Sequence, residues 1–324
     1  MLVSYYTPLY LTGSKRLYAT LQTLQAQTNP NWEWVLMDDS PADHTVTEEA
    51  AKQICQNEYR VHYYRISPCT GGNVGEAKFR ATSLCNGELL AELDHDDLLG
   101  NLMTQKLIDA ADKYPECGFF YTDCIFCEPD FNTANLKFPK DFALGYGQYE
   151  RQQVVQPLTG ETYFTDVIIA APINPATIRH IVGVPNHIRC WRKDTLQEIG
   201  GYNRKLEVAD DFELLIRTFI NTGMCHIRYY GYFQLMYGDN TQIKKQREIQ
   251  QNVHLVSNVY HKAIADRFEE LGFKDFIYEA QPQYADNLWM LTQNNPVRHD
   301  CDVELKFPGE DCANNNLILM ENED

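Results

Sequence analysis

The sequence predicts an α/β fold built on a mostly parallel central sheet, and two observations carry that prediction. Short apolar runs alternate with stretches whose apolar residues recur at helical spacing. Each early apolar run also stops at a polar cluster, as parallel strands do when their carboxyl ends carry a site.

Leu2 to Tyr6 reads as the first strand, broken by Thr7-Pro8-Leu9-Tyr10. Leu17, Leu21 and Leu24 mark a helix that stops at Gln27-Thr28-Asn29-Pro30. Trp32 to Met37 is a second strand running into Asp38-Asp39-Ser40-Pro41, and Thr47 to Gln56 is helical. Val61 to Ile66 is a third strand. Gly71-Gly72-Asn73-Val74-Gly75 opens a helix through Lys78, Phe79, Ala81 and Leu84. Leu89 to Leu93 climbs out of Gly87 and ends in Asp94-His95-Asp96-Asp97.

The second half starts with a helix over Leu102 to Tyr114 and a strand over Gly118 to Asp123. Residues 128–165 read as irregular, and so long a connection is usually functional. A short helix ends at His180, and Asn186 to Arg192 is a strand. Asp194 to Ile199 is a helical turn stopped by Gly200-Gly201. Asp210 to Phe219 is a helix with its acids at the N-terminus, where the dipole favours them. Gln246 to Leu271 is a long helix with Ile249, Val253, Val256, Val259 or Tyr260, Ile264 and Phe268 as its apolar stripe. Residues 282–324 are irregular and acid-rich.

The totals narrow the function classes. At 324 residues, 44% hydrophobic and 23% charged, the chain is globular with room for a real core. A net charge of -17 argues against sequence-independent binding to nucleic acid or to an anionic membrane. It leaves room for a phosphate ligand, because a metal and a few local cations invert the field around a site. With no basic n-region, long apolar core or spanning segment in view, the expected location is the cytoplasm. The ten cysteines are expected as reduced thiols, and Cys124-Ile125-Phe126-Cys127 as the end of a strand.

Three carboxylates within Asp94–Asp97 repel one another unless a cation or ligand compensates them. Hard oxygens on a loop suit Mg²⁺ or Mn²⁺, with phosphate oxygens completing the shell.

An ordered set of motifs supports that reading. Pro8-Leu9-Tyr10, Gln27-Thr28, Trp32 to Ser40, Asn73-Val74-Gly75 with Lys78 and Arg80, and Gly87 to Asp97 follow one another in the first hundred residues. Gly200-Gly201-Tyr202-Asn203 and Asp210-Asp211-Phe212-Glu213-Leu214 with Arg217 complete the set. In this order the motifs resemble those of the inverting family 2 glycosyltransferases of the GT-A fold, over residues 1–220. The resemblance implies a nucleotide-sugar-binding half (1–100), an acceptor-binding and catalytic half of the same domain (101–235), and a C-terminal extension (236–324).

It also implies roles. Pro8 and Tyr10 would flank the nucleobase, and Asp39 would accept from a base N–H. Asn73 and Lys78 would meet the base or the diphosphate. Asp94 would bind the ribose or the metal, and Asp96 the Mn²⁺ or Mg²⁺ on the diphosphate. Asp97 is expected to cap the following helix. Asp211 would be the general base, with its pKa raised between an aromatic residue and another acid, and Asp210 would orient the acceptor or support it. His187 and Trp191 are candidates for acceptor contact, an aromatic there stacking on a sugar. Where many relatives place a metal-binding His, this chain has Tyr237, with Asp239 nearby. Asn240-Thr241-Gln242 with Arg247 and Gln250 is a candidate lid.

The expected partners are therefore a nucleotide-sugar donor, UDP-linked, and a carbohydrate or glycoconjugate acceptor. Two other readings share the strand-end acids: a sugar-nucleotide pyrophosphorylase or nucleotidyltransferase, and a catalytically inactive nucleotide-sugar-binding module. The former needs a basic Gly-rich loop after the first strand, and Thr7-Pro8-Leu9-Tyr10 is not one.

Overall fold

The computed structural model describes residues 1–128, 130, 148–236, 245–273 and 298–299. Its first half alternates β1 (Val3–Leu9), α1 (Ser14–Gln25), β2 (Trp32–Asp38), α2 (Val46–Asn57), β3 (Val61–Arg65), α3 (Val74–Leu84) and β4 (Leu89–Glu92). A two-residue strand, β5 (Leu98–Leu99), leads to α4 (Met103–Lys113) and β6 (Cys117–Cys127). A hairpin follows, β7 (Gln148–Val155) and β8 (Thr162–Ile169), then α5 (Thr177–His180), β9 (Arg189–Arg192) and α6 (Lys193–Glu198). The order closes with α7 (Asp210–Asn221), β10 (Gly223–Leu235), α8 (Gln246–Glu270) and a short β11 (Arg298–His299).

One sheet runs β3-β2-β1-β4-β9-β6-β10-β11. β1 is parallel to β2 and β4, β2 to β3, and β6 to β10. β9 is antiparallel to both β4 and β6 and joins the two halves of the sheet. Helices cover both faces: α1, α2 and α4 pack on one, α3, α7 and α8 on the other. β2 is therefore buried along its whole length, which explains its nearly unbroken apolar sequence. Its internal acid, Glu33, accepts from Ser4 Oγ at 2.5 Å and from the Asn86 N–H at 2.6 Å. Gly87 admits the chain to β4, since a Cβ there would stand 2.5 Å from the Leu2 carbonyl.

Three parts of the sequence reading change. β1 does not break at Pro8 but continues to Leu9, because beyond Tyr6 it pairs only with β2 and one side of its ladder is open. Residues 148–165, expected to be irregular, belong to the β7–β8 hairpin, whose turn uses Gly160 at φ +73°. β10 has no counterpart in the sequence reading: aromatic residues on both faces hide the alternation that marks a half-buried strand. The α8 stripe resolves in favour of Tyr260, whose hydroxyl donates to Glu213 Oε1 at 2.6 Å; Val259 is 76% exposed.

Candidate active site

The polar ends of β1, β2 and β4 gather at the carboxyl edge of the sheet, where an α/β fold places its ligand. Tyr10 leaves β1 exposed, its ring lying over Gly72, where a Cβ would come within 3.2 Å of it. Pro8 is half-buried beside it. Asp39 is buried and accepts from the Thr70 N–H at 2.6 Å, the Thr70 hydroxyl at 2.5 Å and the Gly72 N–H at 2.8 Å. It thus ties the 70–72 loop under Tyr10, and two carboxylate oxygens retain acceptor capacity beyond three bonds. Asn73 caps α3, accepting from the Glu76 N–H at 3.0 Å, while its amide donates to the Arg204 carbonyl at 3.2 Å.

At the end of β4, Asp94 is partly exposed and its N–H donates to the Tyr232 hydroxyl at 3.1 Å. Arg16 of α1 lies 3.3 Å from Asp96. His187 stacks on Tyr232 with ring centroids 4.9 Å apart, and its Nε2 stands 3.8 Å from Asp94. Burial, with Arg189 adding to it, holds the His187 imidazole below its usual pKa and therefore neutral. Asp97 does not cap a helix. It accepts the Leu235 N–H at 2.7 Å, and α4 starts only at Met103. Burial, then repulsion from Asp96 and Asp94, pushes the Asp97 carboxyl well above the usual range.

Beneath these acids lies a floor of buried charge. Glu92, the last residue of β4, meets Lys78 at 2.5 Å on one oxygen and Arg189 at 3.4 Å on the other. Each cation reaches on to one of the tandem aspartates opening α7: Lys78 to Asp210 at 3.3 Å, Arg189 to Asp211 at 2.8 Å. Asp210, Glu92, Asp211 and Asp94 together raise the Lys78 pKa against the opposing effect of its burial. Lys78 is thus buried, its ammonium held by Glu92 and Asp210. Gly75 lets α3 come this close, because a Cβ there would stand 2.7 Å from the Asn203 carbonyl and 2.8 Å from that of Leu206.

The two aspartates differ. Burial pushes the Asp210 carboxyl up to about 6, with Asp211 and Glu92 adding to it and Lys78 opposing. Burial pushes Asp211 up as well, but Arg189 and Lys78 outweigh it and leave its pKa below the usual range. The raised pKa expected at Asp211 thus belongs to Asp210. Asp211 is the more accessible, its side chain 20% exposed against 7% for Asp210. Two non-glycine residues with positive φ border this region, Leu11 at 52° after Tyr10 and Ala209 at 60° before Asp210.

Trp191 is corrected outright. It is fully buried in β9, and its indole N–H donates to Thr218 at 2.8 Å, so no sugar can stack on it. Cys124 and Cys127 are buried thiols, Cys127 pushed up to about 12 by burial. Among the described residues no group of three or more His, Cys, Asp or Glu side chains could hold a metal ion. Asp94 and Asp96 nonetheless fit a hard cation that takes two carboxylates and fills its shell with phosphate oxygens and water. Tyr237, Asp239 and Asn240-Thr241-Gln242 lie outside the described residues.

The family model described as glycosyl transferase family 2 matches residues 4–165, half of the chain. The chain belongs to glycosyl transferase family 2. Its curated relatives include a chondroitin synthase of Escherichia coli, 24% identical over 281 residues that cover 86% of this chain and 34% of that protein. A hyaluronan synthase of Pasteurella multocida is 24% identical over 301 residues, covering 90% of this chain and 27% of the relative. The family 2 chain thus spans about a third or less of the length of these relatives. Among solved structures it is similar to S. aureus TarS 1-349 in complex with UDP-GlcNAc, with TM-score 0.56, 12% identity, and 88% and 77% of the two chains covered. TarS 1-349 with UDP gives TM-score 0.54 at 13% identity, covering 90% and 78%. The fold of this family 2 member is GT-A.

Glu92, Arg189, Arg16 and Tyr232 have no assigned role in the sequence reading. Glu92 carried a signal, since an acid inside a fully buried strand needs a partner. Arg189 stood in Asn186-His187-Ile188-Arg189, with nothing to say that it faced an acid two helices away.

Proposed function

We propose that this chain transfers a sugar from a nucleotide-diphosphate sugar, UDP-linked, to an acceptor hydroxyl on a growing glycan, with inversion. The observation that carries the reading is Asp211: a carboxylate whose side chain is 20% exposed, held at 2.8 Å by Arg189, which also meets Glu92 at the end of β4. The names of the relatives, chondroitin and hyaluronan synthases, support a glycan acceptor. The UDP and UDP-GlcNAc complexes of TarS support the donor class.

In this reading Tyr10 stacks on the base, and Asp39 both shapes the loop beneath it and accepts from it. Asp94 and Asp96 would hold Mn²⁺ or Mg²⁺, which would neutralise charge on the diphosphate leaving group. Asp211 accepts the proton of the acceptor hydroxyl as its oxygen attacks the anomeric carbon. Its low pKa keeps it ionised, and therefore available as a base, across the neutral range. Asp210 supports it from below, beside Lys78. His187 lies against Asp94, on the donor side, and serves there rather than on an acceptor surface.

A donor screen tests the reading. Incubation with UDP-, GDP- and dTDP-sugars and Mn²⁺ should release UDP from one donor when a glycan acceptor is added. Nucleoside triphosphate formed from the donor and pyrophosphate would instead identify a pyrophosphorylase. Binding without turnover on any donor would identify an inactive module.

A further inference from the structure

Arg189 is an expensive residue to keep where it is. Its side chain is 2% exposed, in the strand that joins the two halves of the sheet. A buried ion pair is often no better for stability than well-packed apolar side chains, so the fold alone gives little reason for a guanidinium here. Its hydrogen bonds give another. Nε donates to the Pro185 carbonyl at 3.1 Å, and Nη1 reaches Glu92 at 3.4 Å and Asp211 at 2.8 Å. The guanidinium is thus fixed at its base by backbone and from the side by Glu92, and presents an N–H to Asp211.

The cations share Glu92 and divide the aspartates. The Lys78 ion pairs are with Glu92 and Asp210, whereas the Asp211 ion pair is with Arg189. The other Asp211 oxygen accepts the N–H of Phe212 at 2.8 Å, so the carboxylate is gripped at both ends. Because Asp211 is open to the cleft and Arg189 is not, a substrate can reach the first without touching the second.

We propose that Arg189 is a positioning residue of the transfer, holding the Asp211 carboxylate in the orientation in which it meets the acceptor hydroxyl. The proposal rests on the reading of Asp211 as the base. Arg189 acts on orientation and on charge together. The groups facing Asp211 are Arg189 from β9, Lys78 from α3, Glu92 from β4, and Asp210 with the Phe212 N–H from α7 itself. Without Arg189, burial and Glu92 would have only Lys78 and the Phe212 N–H against them, and the Asp211 pKa would rise. A carboxylate released from one end also samples rotamers that miss the hydroxyl, and small misplacements of a reacting group cost up to about 10²-fold in rate.

The test uses R189K, R189M and the double variant R189M/E92Q, which also removes the Glu92 charge that Arg189 pairs with, so that Asp211 alone loses its guanidinium. Far-UV circular dichroism and UDP affinity establish folding, and kcat, KM and the pH profile of kcat/KM are read against D211N. The expected result is a kcat at least about 10-fold lower in R189M and R189M/E92Q. Donor KM stays within about two-fold, because Arg189 does not touch the donor. The acid limb of kcat/KM moves to higher pH, and R189K, which keeps the charge, recovers part of the loss. If the methionine variants do not fold, R189K decides: a lowered kcat with unchanged donor KM supports the proposal. A folded R189M/E92Q, or otherwise R189K, with wild-type kcat and an unmoved acid limb overturns it. Should D211N itself retain kcat, it is the base assignment that fails.

Discussion

Arg16 Nη1 lies 3.3 Å from Asp96 Oδ2, one of the two carboxylates proposed to hold a divalent cation. A guanidinium therefore shares one of the two acids assigned to the metal. The pair is partly exposed, and such pairs contribute at most about 1 kcal/mol, or about five-fold in an equilibrium constant. Arg16→Gln should tighten Mn²⁺ binding in the absence of nucleotide by about two- to five-fold, read by electron paramagnetic resonance. Unchanged Mn²⁺ affinity would mean that the metal does not use Asp96.

Tyr10 is exposed over Gly72, an arrangement suited to stacking and of little use to the core. Base–aromatic stacking is lost on truncation at a cost of about 1–3 kcal/mol. Tyr10→Ala should therefore weaken UDP binding by about ten-fold or more in calorimetry, and Tyr10→Phe should stay within about two-fold. Equal losses in both variants would assign the effect to the hydroxyl instead.

The raised pKa of Asp210 has a consequence for stability. A carboxyl lifted from 3.8 to about 6 on folding favours the folded state while protonated, and that advantage is lost as pH rises from the unfolded value through the folded one. Asp210→Asn removes the effect. Relative to wild type it should therefore gain stability between about pH 4 and pH 6, by on the order of 1–3 kcal/mol, and hold that difference above. Urea unfolding near pH 4.5 and pH 7.5 checks it. A difference that shrinks with pH would put the raised pKa on another group.

Trp191 is a core residue, and its truncation should behave as one. Trp191→Ala should cost about 3–5 kcal/mol in urea unfolding, the range for large aromatic side chains. Stability unchanged, with acceptor affinity reduced, would restore it to the acceptor surface.

The alternating half of the fold was legible because each strand from β1 to β4 is an apolar run with a polar stop and each helix carries its own period. β10 was not, since it is buried on both faces and no single period dominates, and the β7–β8 hairpin was not, since β7 is polar and mostly exposed. At the site, the acids that repel one another, Asp94, Asp96, Asp210 and Asp211, drew notice as clusters within the ordered set of motifs. Their compensating cations did not, because Arg189 stands 22 positions before Asp211 and Arg16 stands 80 before Asp96. The direction of the Asp211 shift failed for the same reason. Its acidic neighbour is adjacent in sequence, and the stronger guanidinium is adjacent only in space. Trp191 shows the converse, an aromatic in a motif that serves packing.

The central claim is that Asp211 takes the acceptor's proton, and the most direct test is single-turnover sugar transfer by Asp211→Asn beside its affinity for UDP. The account predicts transfer reduced by at least about 10²-fold, the lower end of what a positioned general base contributes, with UDP affinity within about two-fold of wild type. Transfer at the wild-type rate, with UDP bound normally, would contradict it.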